Sequence, residues 1–228
     1  MIYGNSNNST AQKAVVLIIE TAVLIVAVWL LLFGGLETIS RLLHVQWAKA
    51  VPARRELLVA GYCVIYLRII ITMCFLLKRS IGWQEAVSIP LAFALYYWGY
   101  SLLAGPTSGP IGAIEYVGVA LFLIGSFLNA GSESLRDRWK KVPTNKGKLY
   151  TGGLFRYSMH INYFGDILWV AGLAMITANP WSIIIPILIF IFFAFYNAPI
   201  LDKHLLEKYG NEFVEYKART KRLVPFIW

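Results

Sequence analysis

The sequence has little charge, and most of that charge has one sign. Only 14% of its 228 residues are charged and 58% are hydrophobic, and 21 lysine and arginine residues against 12 acidic ones give a net charge of +9. Soluble domains are roughly 45–50% apolar, so this composition predicts a membrane protein. The basic residues flank apolar runs and form no separate basic domain. This argues against nucleic acid as a partner and favours membrane lipids or an anionic cofactor.

Cysteine and histidine are also scarce. Cys63 and Cys74 lie in one apolar run, and on a helix they would be about 16 Å apart, too far for a disulfide. The three histidines, His44, His160 and His204, have no nearby thiol, so their spacing predicts no metal site. The sequence contains neither GxGxxG nor GxxxxGK[ST]. The usual phosphate-binding loops of soluble proteins are therefore excluded.

Long apolar runs dominate what is present. A membrane span needs roughly 20 apolar residues, and the pattern predicts an all-α, polytopic membrane helix bundle with about six (six to seven) transmembrane helices and a short amphipathic C-terminal tail. The predicted spans are Ala14–Gly34, Leu57–Leu77, Val87–Ala104, Ile111–Leu128, Ile161–Ile176 and Trp181–Tyr196.

Lysine and arginine predict the orientation. Basic residues follow span two, separate spans four and five, and fill the tail. With six spans these regions share one side, which the positive-inside rule makes cytoplasmic. The segment Leu36–Arg55, interpreted as amphipathic and lying on the membrane surface, conflicts with this because it is basic on the opposite side. Either the positive-inside rule applies weakly to this segment because it lies at the interface, or the predicted number of spans near the N-terminus is wrong.

Polar residues cluster where spans four and five approach the basic side. Asn129 and Glu133 are four residues apart at the end of span four, and Asn162 and Asp166 are four apart at the start of span five. Each pair therefore shares one helix face. A helix N-terminus favours an anion, and the basic turn before span five adds charge that can neutralise phosphate. This arrangement predicts a cytoplasmic mouth for a phosphate-bearing molecule.

The stretch GKLYTGGLFRYSMHINYFGD resembles the C-terminal signature of the membrane-embedded steroid 5-alpha-reductases and sterol carbon–carbon double-bond reductases. The resemblance covers Asn129–Trp228, and Met159 and Ile161 depart from it where the family has Arg and Pro around the histidine. A related branch, the isoprenylcysteine carboxyl methyltransferases, shares part of the pattern and uses S-adenosylmethionine. Matching positions in the signature and tail are Gly153, Leu154, Phe155, Tyr157, His160, Asn162, Tyr163, Gly165, Asp166, Asp202, His204, Tyr209, Gly210, Tyr216 and Pro225 to Trp228.

The resemblance implies one membrane domain over 1–228, in which 1–128 would line a substrate cavity and 129–228 would bind the cofactor. It implies an NADPH-dependent reductase of a carbon–carbon double bond in a lipophilic, steroid-like or other enone substrate. Tyr66 is the proposed proton donor. The predicted cofactor-binding residues are Asn129, Glu133, Lys148, Arg156, Tyr157, His160, Asn162, Tyr163, Asp166, Asp202, His204 and Tyr216.

Two alternatives stay open at the level of sequence. The first is an S-adenosylmethionine-dependent methyltransferase of a lipid or prenylated thiol, in which Glu133, Asp166 and Asp202 would face the sulfonium. The second is a non-enzymatic membrane scaffold whose polar groups serve only helix packing. The identity of the substrate and the oligomeric state are not predicted.

Overall fold

Helices make up most of the chain in the computed structural model, which describes residues 9–45, 47 and 50–228. Short π-helical turns at Thr72–Leu76 and Phe193–Asn197 continue two of the α-helices. Over the described ranges the α-helices are α1 (Thr10–Leu32), α2 (Gly35–Leu42), α3 (Pro52–Ile71), α4 (Trp83–Ala104), α5 (Ala113–Lys140), α6 (Ile161–Ile176), α7 (Ile184–Phe192), α8 (Ala198–Tyr209) and α9 (Asn211–Arg219).

Five helical stretches are long and apolar enough to cross a membrane, which confirms the predicted all-α polytopic bundle. They are Thr10–Leu32, Pro52–Leu76, Trp83–Ala104, Ala113–Lys140 and Pro180–Tyr209. The remaining predicted span forms α6, whose 16 residues extend about 24 Å, less than the roughly 30 Å of a hydrocarbon core. The chain is therefore a multi-pass membrane protein in which α6 is the short apolar helix.

The last predicted span is longer than expected. It was predicted to end at Tyr196, but the helix continues through the π-helical turn into α8 and ends only at Tyr209. Gly210, with φ of +54°, then separates α8 from α9. The left-handed φ suits glycine, which lacks the Cβ that would clash there. The first half of the predicted tail thus belongs to a spanning helix.

Two compact units divide the chain. The N-terminal unit comprises residues 1–119 and 173–182, and the C-terminal unit comprises residues 120–172 and 183–228. In the N-terminal unit, α1 packs against α3 and α4, with Val16, Ala27 and Leu58 fully buried. The Trp98 indole donates a hydrogen bond to the Val23 carbonyl at 2.9 Å. The functional division between 1–128 and 129–228 stays a prediction.

The segment predicted to lie on the membrane surface is only partly an interfacial helix. Its first part forms α2, but Pro52 already begins α3, so Arg54 and Arg55 belong to a spanning helix. Gln46, Ala48 and Lys49 lie outside the described residues. Arg54 forms a buried ion pair with Glu115 at 2.7 Å, and Arg55 pairs with Glu37 at 2.9 Å. Two arginines of the segment therefore serve packing within the N-terminal unit.

Candidate functional site

A close helix crossing positions the polar residues of the C-terminal unit. A Cβ placed on Gly125 of α5 would lie 2.5 Å from the Gly165 carbonyl oxygen, and one placed on Gly165 of α6 would lie 2.7 Å from the Asn129 backbone nitrogen. Both distances are shorter than any normal carbon contact. Glycine at both positions is therefore what lets the two helix backbones touch.

One turn away from this crossing, the two helices are joined by side-chain hydrogen bonds, here called the polar ladder. Asn129 donates to an Asp166 oxygen at 2.8 Å, and Asn162 donates to a Glu133 oxygen at 3.1 Å. Glu133 also accepts a charged hydrogen bond from Arg136. The structure thus brings together the four residues predicted from their four-residue spacing, but their side chains bind one another.

A small cavity of about 60 Å³, here called the basic cavity, lies at the Asn162 end of the polar ladder. Its wall is basic and aromatic, and the Arg136 guanidinium lies 5.6 Å from the centre of the Phe155 ring. Lys140 is exposed, and no ion pair involves it among the described residues. The lining residues are Arg136, Lys140, Leu149, Tyr150, Phe155, Met159, His160, Asn162, Leu201, Leu205, Tyr209 and Tyr216.

His160 and Asp202 form a buried polar contact in this unit. His160 Nε2 lies 2.8 Å from one Asp202 oxygen, and Arg222 donates to the other at 2.9 Å. The His160 ring stacks on Tyr163 with centroids 5.2 Å apart, and Tyr163 stacks on Phe193 at 4.6 Å. His160 is 1% exposed, so only its edge borders the cavity. His160, Asp202 and Arg222 together join the start of α6, α8 and the chain after α9.

Tyr216 forms part of the cavity wall and is held by the backbone. Its hydroxyl donates to the Phe155 carbonyl at 2.6 Å. Burial raises the pKa of the Tyr216 hydroxyl above its usual value, opposed by the charge of Arg219 and aided by that of Asp202. It packs in an apolar cluster with Leu149, Met159 and Phe213. Met159, which replaces the family arginine, is therefore a buried apolar side chain.

Of the twelve predicted cofactor-binding residues, three line the cavity: His160, Asn162 and Tyr216. Four of the other nine also lie outside the polar ladder and the contacts of His160. Lys148 and Arg156 are exposed, and the Arg156 guanidinium lies 4.6 Å from the centre of the Tyr157 ring, whose hydroxyl it also binds. Tyr157 itself packs against Phe226 at 5.6 Å. His204 is half-buried on α8. Lys148, Arg156, Tyr157 and His204 are not among the described residues that line the cavity, and their roles stay predictions.

The N-terminal unit contains a polar cluster of its own. The Tyr66 hydroxyl lies 2.5 Å from Thr21 Oγ1, which donates onward to the Leu17 carbonyl at 2.7 Å. Glu20 is fully buried, and neither of its carboxylate oxygens has a partner in hydrogen-bond geometry among the described residues. Glu20 interacts with Tyr97, which is itself buried.

Comparison with protein families identifies the relationship. Residues 73–220 match the family model described as "Protein of unknown function (DUF1295)". The chain is a member of the DUF1295 family. The match begins in the π-helical turn after α3, so it extends upstream of Asn129, where the resemblance was predicted to begin, and includes all of α4 and α5.

Curated relatives of this DUF1295 member confirm the suspected superfamily. It is 30% identical over 112 residues to human "3-oxo-5-alpha-steroid 4-dehydrogenase 1" and 32% identical over 112 residues to the pig type 2 protein, in each case over 49% of the chain. It is also 32% identical over 77 residues to "Protein-S-isoprenylcysteine O-methyltransferase" of Saccharomyces cerevisiae, over 33% of the chain. The matched regions span 41%, 42% and 31% of these relatives.

Two basic residues of the cavity wall in this DUF1295 member were not predicted as site residues from the sequence. Arg136 and Lys140 continue the face of α5 that carries Asn129 and Glu133, at positions seven and eleven after Asn129. Such spacing keeps side chains on one helix face. The signal was available, but it required α5 to continue as a helix well past the membrane core. At 28 residues, α5 is about 42 Å long.

Proposed function

We propose that this chain is an NADPH-dependent reductase that acts on a carbon–carbon double bond in a lipophilic enone. The observation that carries the proposal is how the charges around the cavity of the C-terminal unit are paired. Glu133, Asp166 and Asp202 all have hydrogen-bond or ionic partners within the protein. The exposed Lys140 has no ion-pair partner among the residues that the structure describes. A site with paired carboxylates and an unpaired cation favours an anionic ligand.

The same pairing argues against S-adenosylmethionine. A sulfonium would need one of these carboxylates, but Asp202 already holds His160 and Arg222, and Asp166 already accepts from Asn129 and the Trp169 indole. Releasing either carboxylate would leave buried polar groups without partners, at about 1–3 kcal/mol each. The methyltransferase stays the second candidate because the yeast relative is 32% identical to the chain over 77 residues.

The residues present fit the chemistry of a nicotinamide dinucleotide. Arg136 and Lys140 can bind phosphate, and the faces of Tyr150 and Phe155 can stack on flat rings. The cavity volume of about 60 Å³ is far below the roughly 300–1,000 Å³ of small-molecule sites. The dinucleotide would therefore have to widen the site when it binds.

Bound NADPH would supply a hydride, and the residues of the chain would bind, orient and donate a proton. The polar ladder would hold the ends of α5 and α6 together beneath the cofactor. The His160–Asp202–Arg222 contact would fix α8 and the chain after α9 around it. Tyr66 is the proposed proton donor. Because its hydroxyl lies 2.5 Å from Thr21 Oγ1, it would exchange this partner for the substrate.

Co-purification tests the cofactor directly. The protein is purified in a mild detergent, and any retained nucleotide is identified by mass spectrometry. Thermal unfolding is then measured with NADPH, NADH and S-adenosylmethionine. We expect NADPH to stabilise the protein, by about 2.7 kcal/mol at a hundred times its Kd. Stabilisation by S-adenosylmethionine alone would refute the reductase, and no effect of any of the three would favour the scaffold.

A further inference from the structure

A cavity of about 290 Å³ lies at one end of the N-terminal unit, separate in that unit from the polar cluster around Glu20. Its wall combines residues of α2, which follows the end of α1, with Arg55 in the first turn of α3 and Gly105 just after α4. The cavity therefore lies where α1 and α4 end and α3 begins. Ends of spanning helices lie at the depth of the lipid headgroups. The lining residues are Leu36, Glu37, Ser40, Arg41, Trp47, Arg55 and Gly105.

The charges in this cavity do not cancel. The donors of Arg55 bind the Glu37 carboxylate at 2.9 Å, the Leu31 carbonyl at 3.0 Å and the Ala50 carbonyl at 3.1 Å. Arg41 makes one long contact, 3.5 Å to Thr38 Oγ1, among the residues that the structure describes. Most of the five guanidinium donors of Arg41 are therefore available to a ligand. A planar guanidinium is suited to a phosphate group.

The surroundings of Arg41 suit a lipid better than a free ion. The next two residues, Leu42 and Leu43, are 74% and 60% exposed. Apolar side chains this exposed at the end of a membrane bundle lie against acyl chains. Trp47, which lines the cavity, is a residue type enriched at the level of the headgroups. The cavity volume is close to the lower end of the roughly 300–1,000 Å³ seen for small-molecule sites.

We propose that this cavity binds the phosphate of an anionic glycerophospholipid headgroup, with Arg41 as the main cation and the acyl chains beside Leu42 and Leu43. Arg55 and Glu37 form the fixed floor of the site, because each is already bound to the other. The site is independent of the proposed reductase activity, since every residue named belongs to the N-terminal unit and none contributes to the basic cavity.

Lipid binding to the purified full-length protein tests this proposal. Wild-type protein in a mild detergent is titrated with dioleoylphosphatidylglycerol, dioleoylphosphatidylcholine or inorganic phosphate, and bound adducts are counted by native mass spectrometry. We expect phosphatidylglycerol to bind best and Arg41→Gln to weaken it about tenfold, the loss of one charged hydrogen bond. Arg138→Gln is the matched control, because Arg138 is an exposed arginine outside the cavity.

A second variant tests the cavity without changing charge. A Cβ on Gly105 would lie 3.3 Å from the Trp47 ring and 3.4 Å from Leu36, so Gly105→Leu should fill the space and also lower phosphatidylglycerol binding. Equal losses in Arg41→Gln and Arg138→Gln would overturn the proposal, because they would indicate general charge attraction. Binding of inorganic phosphate that matches that of the lipid would overturn the lipid assignment, as would undiminished lipid binding by both cavity variants.

Discussion

Gly165→Ala should separate α5 from α6 and disrupt the polar ladder. The added methyl group would lie 2.7 Å from both the Asn129 nitrogen and the Gly125 oxygen, and both are backbone atoms that cannot rotate away. Overpacking of this kind costs about 1–3 kcal/mol. Moving the helices apart also lengthens the hydrogen bonds Asn129–Asp166 and Asn162–Glu133, each worth about 0.5–1.5 kcal/mol.

Gly131→Ala is the matched control on the same pair of helices. A Cβ on Gly131 would lie 3.5 Å from the Phe127 ring, an ordinary contact, and both variants gain the same helix propensity, about 1 kcal/mol over glycine. The propensity gain cancels in the comparison. Gly165→Ala should therefore be less stable than Gly131→Ala by about 2–4 kcal/mol, the overpacking plus roughly half the energy of the two hydrogen bonds, which are lengthened rather than lost.

Thermal unfolding in detergent, followed by tryptophan fluorescence, measures this difference. For a chain of this size, 1 kcal/mol corresponds to roughly 2–4 °C in Tm, so the two variants should differ by roughly 5–15 °C. If their Tm values agree within 2 °C or so, the close crossing of α5 and α6 is wrong. Because Asn162 and Arg136 also border the basic cavity, NADPH stabilisation should fall in Gly165→Ala and persist in Gly131→Ala.

Further substitutions test separate parts of the molecule. Lys140→Gln should weaken NADPH about tenfold in a thermal-shift titration while Arg138→Gln leaves it unchanged, and equal effects would remove Lys140 from the site. Arg156→Ala should weaken NADPH more than NADH, and equal losses would mean that it does not contact the 2′-phosphate. Arg54→Leu should cost about 3–5 kcal/mol, because it leaves the buried Glu115 unpaired, and a Tm close to wild type would contradict this. Asp202→Asn should speed tryptic cleavage after α9, by removing the partner of Arg222, and an unchanged digestion rate would show that the contact does not hold that segment.

Helical spacing was enough to predict much of the candidate site. The four-residue separations of Asn129 from Glu133 and of Asn162 from Asp166 placed each pair on one face, and the structure brings the two faces together. Periodicity could not show that these side chains would satisfy one another, because that depends on how closely the backbones approach. The approach is set by Gly125 and Gly165, whose small size becomes informative only when the partner helix is known.

The lengths of the helices were predicted less well than their positions. The span predicted to end at Tyr196 continues to Tyr209 because the polar residues that follow, including Asp202 and Lys203, are good helix formers or are paired. Asp202 was predicted to bind the cofactor, and in the structure its two carboxylate oxygens contact His160 and Arg222. Both partners are distant in the chain, so neither local propensity nor hydropathy contains this information.

The arginines of α2 and of the first turn of α3 are among the residues whose charge conflicts with the predicted orientation. The positive-inside rule counts lysine and arginine whether or not they are paired, so the ion pairs Arg54–Glu115 and Arg55–Glu37 do not remove the conflict. The two ion pairs do stabilise the fold, because loss of either arginine would leave an acidic side chain without its partner. The exposed Arg41 has no ion-pair partner among the described residues, and the cavity beside it, rather than its charge alone, is the basis for the proposed lipid site.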